Sequence, residues 1–243
     1  MGTVSGTDIT FGGAVAYRTA AVVKPSIAYV GSGKVVIAYR DNANSNYGTA
    51  IVGTVSGTSI SFGTAVVFNS TGNTANNITV YDSVNDKVVI SYEDNGNNGY
   101  ATSKVGTVSG TSISFGTAVV FNTGGTFSWA SATYVGSGKI VIAYADYGSS
   151  PQYKGTVVVG TVSGTSISFG SEVVFNSADT RNTSCTYDST SDKVIIAYRD
   201  NANSNYGTVI VGSVSGTSIS FGSEVVFNAG TTTQTASTYN INN

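Results

Sequence analysis

Residues 55–63 read V-S-G-T-S-I-S-F-G, and this stretch recurs along the whole chain. The same nine letters occupy residues 108–116, 162–170 and 214–222, and residues 4–12 read V-S-G-T-D-I-T-F-G. The copies begin 51, 53, 54 and 52 residues apart. A recurrence near fifty residues indicates a repeat architecture, in which each repeat packs on its neighbours. Because the repeats run from end to end, we expect a single domain over residues 1–243.

Each repeat divides into four strand-like segments, named a to d in chain order. They are rich in Val, Ile, Tyr, Phe and Thr and are bounded by Gly, Asn, Asp and Ser, a pattern typical of strands. Segment a covers residues 26–30, 78–82, 131–135, 184–188 and 236–240, and segment b covers 34–41, 87–94, 139–146 and 193–200. Segment c covers 47–55, 100–108, 153–162 and 206–214 with a stub at 2–4, and segment d covers 9–17, 60–68, 113–121, 167–175 and 219–227.

Segment b is apolar on both faces, since Val35, Ile37 and Tyr39 alternate with Val36 and Ala38. A strand buried on both faces lies inside a stack of sheets. Four short antiparallel strands per repeat, stacked face to face, describe a β-propeller blade. We therefore predict an all-β, five-bladed β-propeller of four-stranded antiparallel blades. In this prediction both chain ends close the last blade, with residues 236–240 as its inner strand and residues 2–17 as its two outer strands.

The sequence contains four b segments for five predicted blades. Either the blade frame differs, so that the missing strand falls at an edge, or another chain fills the slot. An unpaired strand position is an association site. Self-association through the incomplete blade is therefore one expected interaction.

Composition excludes several classes of function. Charged residues make up 10% of the chain and the net charge is −2, so no basic stripe is present for nucleic acid. No apolar run approaches the length of a membrane helix, and we expect no membrane insertion. Histidine, the commonest metal ligand and general base, is absent. The single cysteine, Cys185, excludes an internal disulfide and is interpreted as a buried filler. We expect no metal, no other cofactor and no enzymatic activity.

The b–c loops carry the candidate binding residues. They lie with the d–a loops at one end of the predicted propeller, and they are polar and varied, as binding loops on a scaffold tend to be. Asp, Asn and Tyr together suit a sugar, because amides and carboxylates take hydroxyls and an aromatic ring takes the apolar face of the sugar. Turn chemistry explains the same residues without a ligand. The candidates are Arg40, Asp41, Asn44, Tyr47, Asp94, Asn97, Tyr100, Asp146, Tyr153, Arg199, Asp200, Asn203 and Tyr206.

Two further candidates lie in the d–a connections at the same end. Trp129 is the only tryptophan and stands close to Phe127, and Arg181 occupies the next such connection. An aromatic pair at this position could stack on a ligand or pack in the core, and the sequence leaves both interpretations open.

The organising hairpin resembles that of known propeller families. Residues 56–62, S-G-T-S-I-S-F, resemble the Asp-box hairpin of sialidase-like propellers, which joins the third and fourth strands of a blade. The five near-equal repeats are similar in layout to tachylectin-type five-bladed lectins, and V-S-G-T-S-I-S-F-G is similar to repeats in phage and environmental-bacterial surface or tail proteins. These resemblances imply a propeller and carbohydrate recognition. The arginine triad of sialidases cannot be placed on the four arginines of this chain.

We therefore expect a non-enzymatic, multivalent carbohydrate-binding propeller, with weak sites repeated on the b–c/d–a end. Its partner would be a glycan or cell-surface polysaccharide. The alternative is a structural or adhesion repeat module without a small-molecule site. The N-terminus shows no visible signal peptide, and an extracellular or virion-associated location is the favoured expectation.

Overall fold

The computed structural model describes residues 2–125, 127–148 and 153–238, and the part of the chain that it describes is all-β with antiparallel sheets and no helix. Four sheets follow one another along the chain and are named blades I to IV. A separate hairpin of β1 (Gly2–Ser5) and β2 (Asp8–Phe11) precedes them. The prediction of an all-β, antiparallel fold is confirmed.

Each blade repeats one plan, in which three strands pair in chain order and two short strands share the outer edge of the third. Blade I contains β3 (Val22–Tyr29), β4 (Lys34–Asp41), β5 (Tyr47–Ser56), β6 (Ser59–Phe62) and β7 (Val66–Asn69). Blade II contains β8 (Thr74–Asp82), β9 (Lys87–Asp94), β10 (Tyr100–Ser109), β11 (Ser112–Phe115) and β12 (Val119–Asn122). Blade III contains β13 (Phe127–Tyr134), β14 (Lys139–Asp146), β15 (Lys154–Ser163), β16 (Ser166–Phe169) and the start of β17 (Val173–Asp188). Blade IV contains the rest of β17, β18 (Lys193–Asp200), β19 (Tyr206–Ser215), β20 (Ser218–Phe221) and β21 (Val225–Asn228).

The core lies between consecutive blades. One cluster joins Val52 and Phe68 of blade I to Ile90 and Tyr92 of blade II. Equivalent clusters lie between blades II and III and between blades III and IV. The second strands of blades II and III each contribute to the clusters on both of their sides, as the apolar pattern of segment b predicted. The stack of sheets is therefore held mainly by apolar burial between blades.

The inner strands of successive blades lie side by side. The Cys185 amide donates to Ser131 Oγ at 3.1 Å, and the Ser237 amide donates to Ser184 Oγ at 2.8 Å. Residues 233–237 thus lie along β17 in the manner of a further inner strand, although no strand is formed there among residues 229–238. This side-by-side arrangement is that of propeller blades around an axis.

The predicted fifth blade and its closure by both chain ends are not confirmed. Among the described residues β1 pairs with β2 alone, and the sheets do not close into a ring. The physical reason is the missing b segment, which would have to pair with both the inner and the third strand of that blade. Residues 239 and 240 of the predicted last inner strand lie outside the described residues.

The predicted single outer strand d is also corrected. It is divided into two short strands, such as β6 and β7, with a break at residues 63–65. Gly63 lies so close to the next blade that a Cβ atom would stand 1.9 Å from the carbonyl oxygen of Thr111. The strand breaks where its backbone touches the following blade.

Candidate functional site

The b–c loops and the connections between blades meet at one end of the stack. The Thr74 amide donates to the Asn46 carbonyl at 3.2 Å, and the Thr232 amide donates to the Asn205 carbonyl at 2.9 Å. In blade III the Thr180 amide donates to the Tyr153 carbonyl at 2.7 Å. All fifteen predicted site residues therefore belong to this end of the molecule, but most of them are spread around its rim.

The aspartates of the b–c loops act in the turns. Each accepts a hydrogen bond from the backbone amide two residues later, at distances between 2.9 and 3.1 Å, as expected of Asx turns. Asp41, Asp94 and Asp200 are buried, and Asp146 is half-buried. Turn chemistry, the alternative that the sequence left open, accounts for these four carboxylates, and their role in sugar binding stays a prediction.

The predicted asparagines and tyrosines of these loops have a shared geometry. The carbonyls of Asn44, Asn97 and Asn203 accept the amide of the tyrosine three residues later, at 2.9 to 3.1 Å. The asparagine side chains are exposed, and the tyrosines are half-buried. The tyrosines in question are Tyr47, Tyr100 and Tyr206. A backbone hydrogen bond thus closes each loop into a turn, and the side-chain amide of the asparagine is exposed.

The two predicted arginines at the ends of b strands brace the loops. Arg40 Nε donates to Asn42 Oδ1 at 3.1 Å, and its Nη1 donates to Asn73 Oδ1 at 3.2 Å. Arg199 Nε donates to Asn201 Oδ1 at 2.6 Å. Both guanidinium groups therefore have structural partners.

Three predicted residues do come together, at the junction of blades III and IV. The rings of Trp129 and Tyr153 are 5.1 Å apart at 74°, and Tyr147 is 4.8 Å from Tyr153. The Arg181 guanidinium lies 5.1 Å from the Trp129 ring and 5.5 Å from the Tyr153 ring, within cation–π range. We name Trp129, Tyr147, Tyr153 and Arg181 the aromatic cluster. Asp179 orients Arg181 through two hydrogen bonds, of 3.2 and 3.3 Å.

Phe127, which the sequence grouped with Trp129, lies in the core. It is fully buried and packs 5.6 Å from Phe121 and 5.3 Å from Tyr144. The interpretation of Phe127 as half of a ligand-stacking pair is therefore wrong, because its ring fills the space between blades II and III.

A bulge distorts the inner strand of every blade at this end. The pairing of β3 with β4 shifts register between Val23 and Ser26, and the other inner strands shift at the equivalent place. The bulge residue has a left-handed backbone in all four blades, with φ between 45° and 52°. These residues are Lys24, Asn76, Trp129 and Asn182. Asparagine tolerates this conformation, whereas a bulky residue such as tryptophan is strained in it.

Three of these bulges border an open cavity next to the inner strands. The cavity has a volume of about 330 Å³ and is lined by Lys24, Asn76, Asn77, Ile78, Ser128, Trp129 and Ala130. We name it the axial cavity. Trp129 belongs both to its wall and to the aromatic cluster, so the two features form one continuous surface.

The cavity wall contains an unsatisfied acceptor. Asn77 is 6% exposed, and its Oδ1 atom is buried without a hydrogen-bond partner among the described residues. Its Nδ2 atom donates weakly, at 3.5 Å, to the Lys24 carbonyl. Buried polar groups are nearly always hydrogen-bonded, so the Oδ1 atom of Asn77 is an exception in a residue that lines the cavity.

A carboxylate lies behind the same wall. Asn76 Nδ2 donates to Glu93 Oε2 at 3.0 Å and to the Phe127 carbonyl at 2.7 Å. Burial raises the pKa of Glu93, and the hydrogen bonds from Asn76 and Asn95 oppose the rise. Glu93 therefore orients Asn76.

The sequence did not single out Lys24, Asn76, Asn77, Tyr147 or Asp179. When the repeats are aligned, the bulge position holds Lys24, Asn76, Trp129 and Asn182. Two of these four residues, Lys24 and Trp129, do not suit a left-handed backbone, so residue type did not reveal the bulge.

No helix among the described residues is long and apolar enough to cross a membrane. No group of three or more His, Cys, Asp or Glu side chains in the part of the chain that the structure describes is placed to hold a metal ion.

Comparisons with known proteins give a distant likeness to solved structures. No family model and no curated protein matches the chain. A solved structure titled as the crystal structure of a thermostable family-43 glycoside hydrolase is similar over 79% of this chain and 69% of that one, at 10% identity and a TM-score of 0.46. The expectation of a non-enzymatic chain is corrected at this point, because this similar structure is that of an enzyme. At such a distance no activity, substrate or residue is carried over to this chain.

Proposed function

We propose that the chain binds carbohydrate at the axial cavity and the adjoining aromatic cluster. The observation that carries this proposal is that one open cavity is lined by Trp129 and by Asn77, whose Oδ1 atom has no hydrogen-bond partner among the described residues. A sugar supplies what this wall lacks, a hydroxyl donor for the amide oxygen, and it brings an apolar ring face for the indole.

The remaining groups of the wall suit a polyhydroxylated ligand. Lys24 adds a donor on one side of the cavity, and Ser128 adds a hydroxyl. The cavity is open and small, which fits one or two sugar units at the end of a longer glycan. The aromatic cluster extends the surface toward blade IV, where Tyr153 offers a second ring and Arg181 a further donor.

Backbone strain supports a role for Trp129 beyond packing. The bulge requires a left-handed residue, and asparagine meets that requirement in blades II and IV. Trp129 adopts the same conformation at φ 45°. Strained residues of this kind persist where the surrounding structure holds them, and they concentrate at ligand sites. The repeat needs a bulge at this position, but it does not need a tryptophan.

A glycan array, followed by titration calorimetry with the best ligand, tests the proposal. Replacing Trp129 by Asn, the residue of blades II and IV, should weaken binding by about ten-fold or more while leaving the fold intact. Replacing Asn77 by Ala removes the unsatisfied acceptor and should weaken binding by a similar factor. Sugar release is assayed in the same samples, because a binding module and a carbohydrate-cleaving enzyme would share the binding step.

The matched control is the triple replacement of Tyr47, Tyr100 and Tyr206 by Ala, which removes the loop tyrosines of blades I, II and IV. It should leave binding unchanged. If the triple variant abolishes binding and Trp129→Asn does not, the ligand sits in the repeated b–c loops and the axial site is wrong. If no glycan binds at high density, the alternative of a structural or adhesion module replaces the proposal.

A further inference from the structure

One aromatic contact repeats between successive repeats. An aromatic residue near the end of one repeat packs on a phenylalanine of the next repeat. In blades I and II, for example, Phe68 of β7 packs on Phe115, the last residue of β11. The ring centroids are between 4.8 and 6.0 Å apart. The pairs are Tyr17–Phe62, Phe68–Phe115, Phe121–Phe169 and Phe175–Phe221. The contact therefore belongs to the interface between repeats, and the first pair shows that residues 12–17 dock on blade I as a preceding blade would.

A backbone contact repeats at the same interfaces. A glycine follows the first short outer strand, and a Cβ atom on it would stand between 1.9 and 2.1 Å from a threonine carbonyl of the next hairpin. The pairs are Gly12–Thr58, Gly63–Thr111, Gly116–Thr165 and Gly170–Thr217. Only glycine permits this approach, so the two contacts together identify one interface that occurs four times.

At the first and the last repeat, one residue of each contact has no counterpart to pack on within the described residues. Phe227 of blade IV is 56% exposed, and Phe11 of the β1–β2 hairpin is 73% exposed. Gly222 and Thr7 are the corresponding unmatched glycine and threonine, and no threonine carbonyl lies near Gly222. The chain therefore exposes both halves of this interface. One half is the β1–β2 hairpin with Phe11, and the other is the outer edge of blade IV with Phe227.

Neighbouring side chains on both faces are exposed in the same way. Val211 in β19 is 42% exposed, whereas its counterparts Val52 and Val159 are buried. Ile9 in β2 is 53% exposed, whereas the equivalent Ile113, Ile167 and Ile219 are 3 or 4% exposed and Ile60 is half-buried. Contiguous apolar patches of this kind mark interaction surfaces.

We propose that the β2 face of one copy of this chain packs on the β19–β21 face of a second copy. Continuity with the internal interface identifies the partner, because the two faces are the two halves of a contact made four times within the chain. In the described residues both halves are exposed in the same molecule, and Phe11 and Phe227 make no ring contact. The two faces differ, so association is head-to-tail and gives a ring or a chain of copies.

Sedimentation velocity of three chains tests this inference. The native chain should show a mass that rises with concentration above that of one copy. Phe11→Asp and Phe227→Asp each place a charge on one face, and each variant alone should stay at the mass of one copy. An equimolar mixture of the two should form a dimer, because each variant retains the face that the other has lost.

The equimolar mixture distinguishes two cases, contact between two copies and contact between the two faces of one chain, because only the first gives a dimer. If the native chain has the mass of one copy at all concentrations, or if the mixed variants do not associate, the inference is wrong. Val84→Asp, at a site 67% exposed on a turn of blade II, is the matched control and should associate like the native chain. Circular dichroism checks the fold, and Phe→Ser variants at both sites repeat the test if an Asp variant unfolds.

Discussion

Blades III and IV differ from blades I and II in the environment of one buried tyrosine. In blade III the Tyr144 hydroxyl donates to Glu172, and in blade IV the Tyr198 hydroxyl donates to Glu224 at 2.7 Å. In blades I and II the hydroxyls of Tyr39 and Tyr92 are buried without a partner among the described residues. The glutamate position is alanine there, at Ala65 and Ala118.

The difference shows what keeps the tyrosine in place. All four rings are fully buried against an aromatic residue of the preceding repeat, such as Phe68 on Tyr92 at 5.1 Å and Phe175 on Tyr198 at 5.2 Å. Ring packing is therefore sufficient to place the residue. The hydrogen bond is an addition in two blades, and its absence in the other two leaves a polar group that costs about 1–3 kcal/mol when buried alone.

Alkaline pH gives the largest expected effect on this comparison. Burial raises the pKa of Tyr92, Tyr144 and Tyr198, and the nearby glutamate adds to the rise for the last two. Above about pH 10 the unfolded chain loses the tyrosine protons that the folded chain keeps. The free energy of unfolding is therefore highest below that pH and falls above it. Each tyrosine should contribute about 1.4 kcal/mol per pH unit, as measured by urea unfolding between pH 9 and pH 11.5.

The variant Tyr92→Phe serves as the control for the alkaline loss. Above about pH 10, the free energy of unfolding of this variant should fall with pH less steeply than that of the native chain, and the difference in slope should equal the contribution of one tyrosine. An unchanged slope would show that Tyr92 ionises as easily in the folded chain as in the unfolded one.

Removing single hydroxyls should separate the two pairs of blades. Tyr144→Phe breaks a hydrogen bond to a carboxylate, and it should lower the free energy of unfolding by about 1.5–3 kcal/mol. Tyr92→Phe removes a hydroxyl that has no partner, and it should be neutral or stabilising by about 1 kcal/mol. Equal losses for both variants in urea unfolding at pH 7 would mean that the Glu172 contact adds nothing.

Transplanting the glutamate should give the smallest effect. Ala118 is exposed, as Glu172 is, so Ala118→Glu can place a carboxylate near the Tyr92 hydroxyl without entering the core. We expect a gain of about 0.5–1.5 kcal/mol in unfolding free energy, which should vanish when Tyr92 is already phenylalanine. A gain that survives in the double variant would assign the effect to surface charge instead.

Much of the strand pattern could be predicted from the sequence. The four b segments match β4, β9, β14 and β18 residue for residue, because Lys at one end and Asp at the other bound an apolar run that only a strand between two sheets would need. Segment c was predicted within one residue at each end. The fold class followed from these two segments and from the repeat.

Tertiary contacts decided what the sequence could not show. With the bulges at Lys24 and its equivalents, the inner strands of the first three blades begin four residues earlier than predicted, and nothing in the local residues indicates an extra residue there. The break in the outer strand depends on Thr111 of another blade. The fifth blade is not confirmed, because the sequence contains four b segments for the five predicted blades.

The candidate site was predicted only in part. Trp129, Tyr153 and Arg181 were identified by residue type and by their place at one end, and the structure brings them together. Asn77 was missed because an orphan acceptor is a property of burial, which composition does not report. The role of the loop aspartates in sugar binding stays a prediction, because a carboxylate that caps a turn and one that binds a ligand look alike in sequence.

The strand β17 has a consequence for how the molecule opens. It passes from the outer edge of blade III to the inner position of blade IV without a break in its 16 residues, whereas at the other junctions between blades the chain leaves one strand before it begins the next. Its amides are thus shared between two sheets, and neither sheet can lose that strand alone. Blades III and IV should therefore exchange their slowest amide hydrogens as one cooperative unit, while blade I exchanges separately.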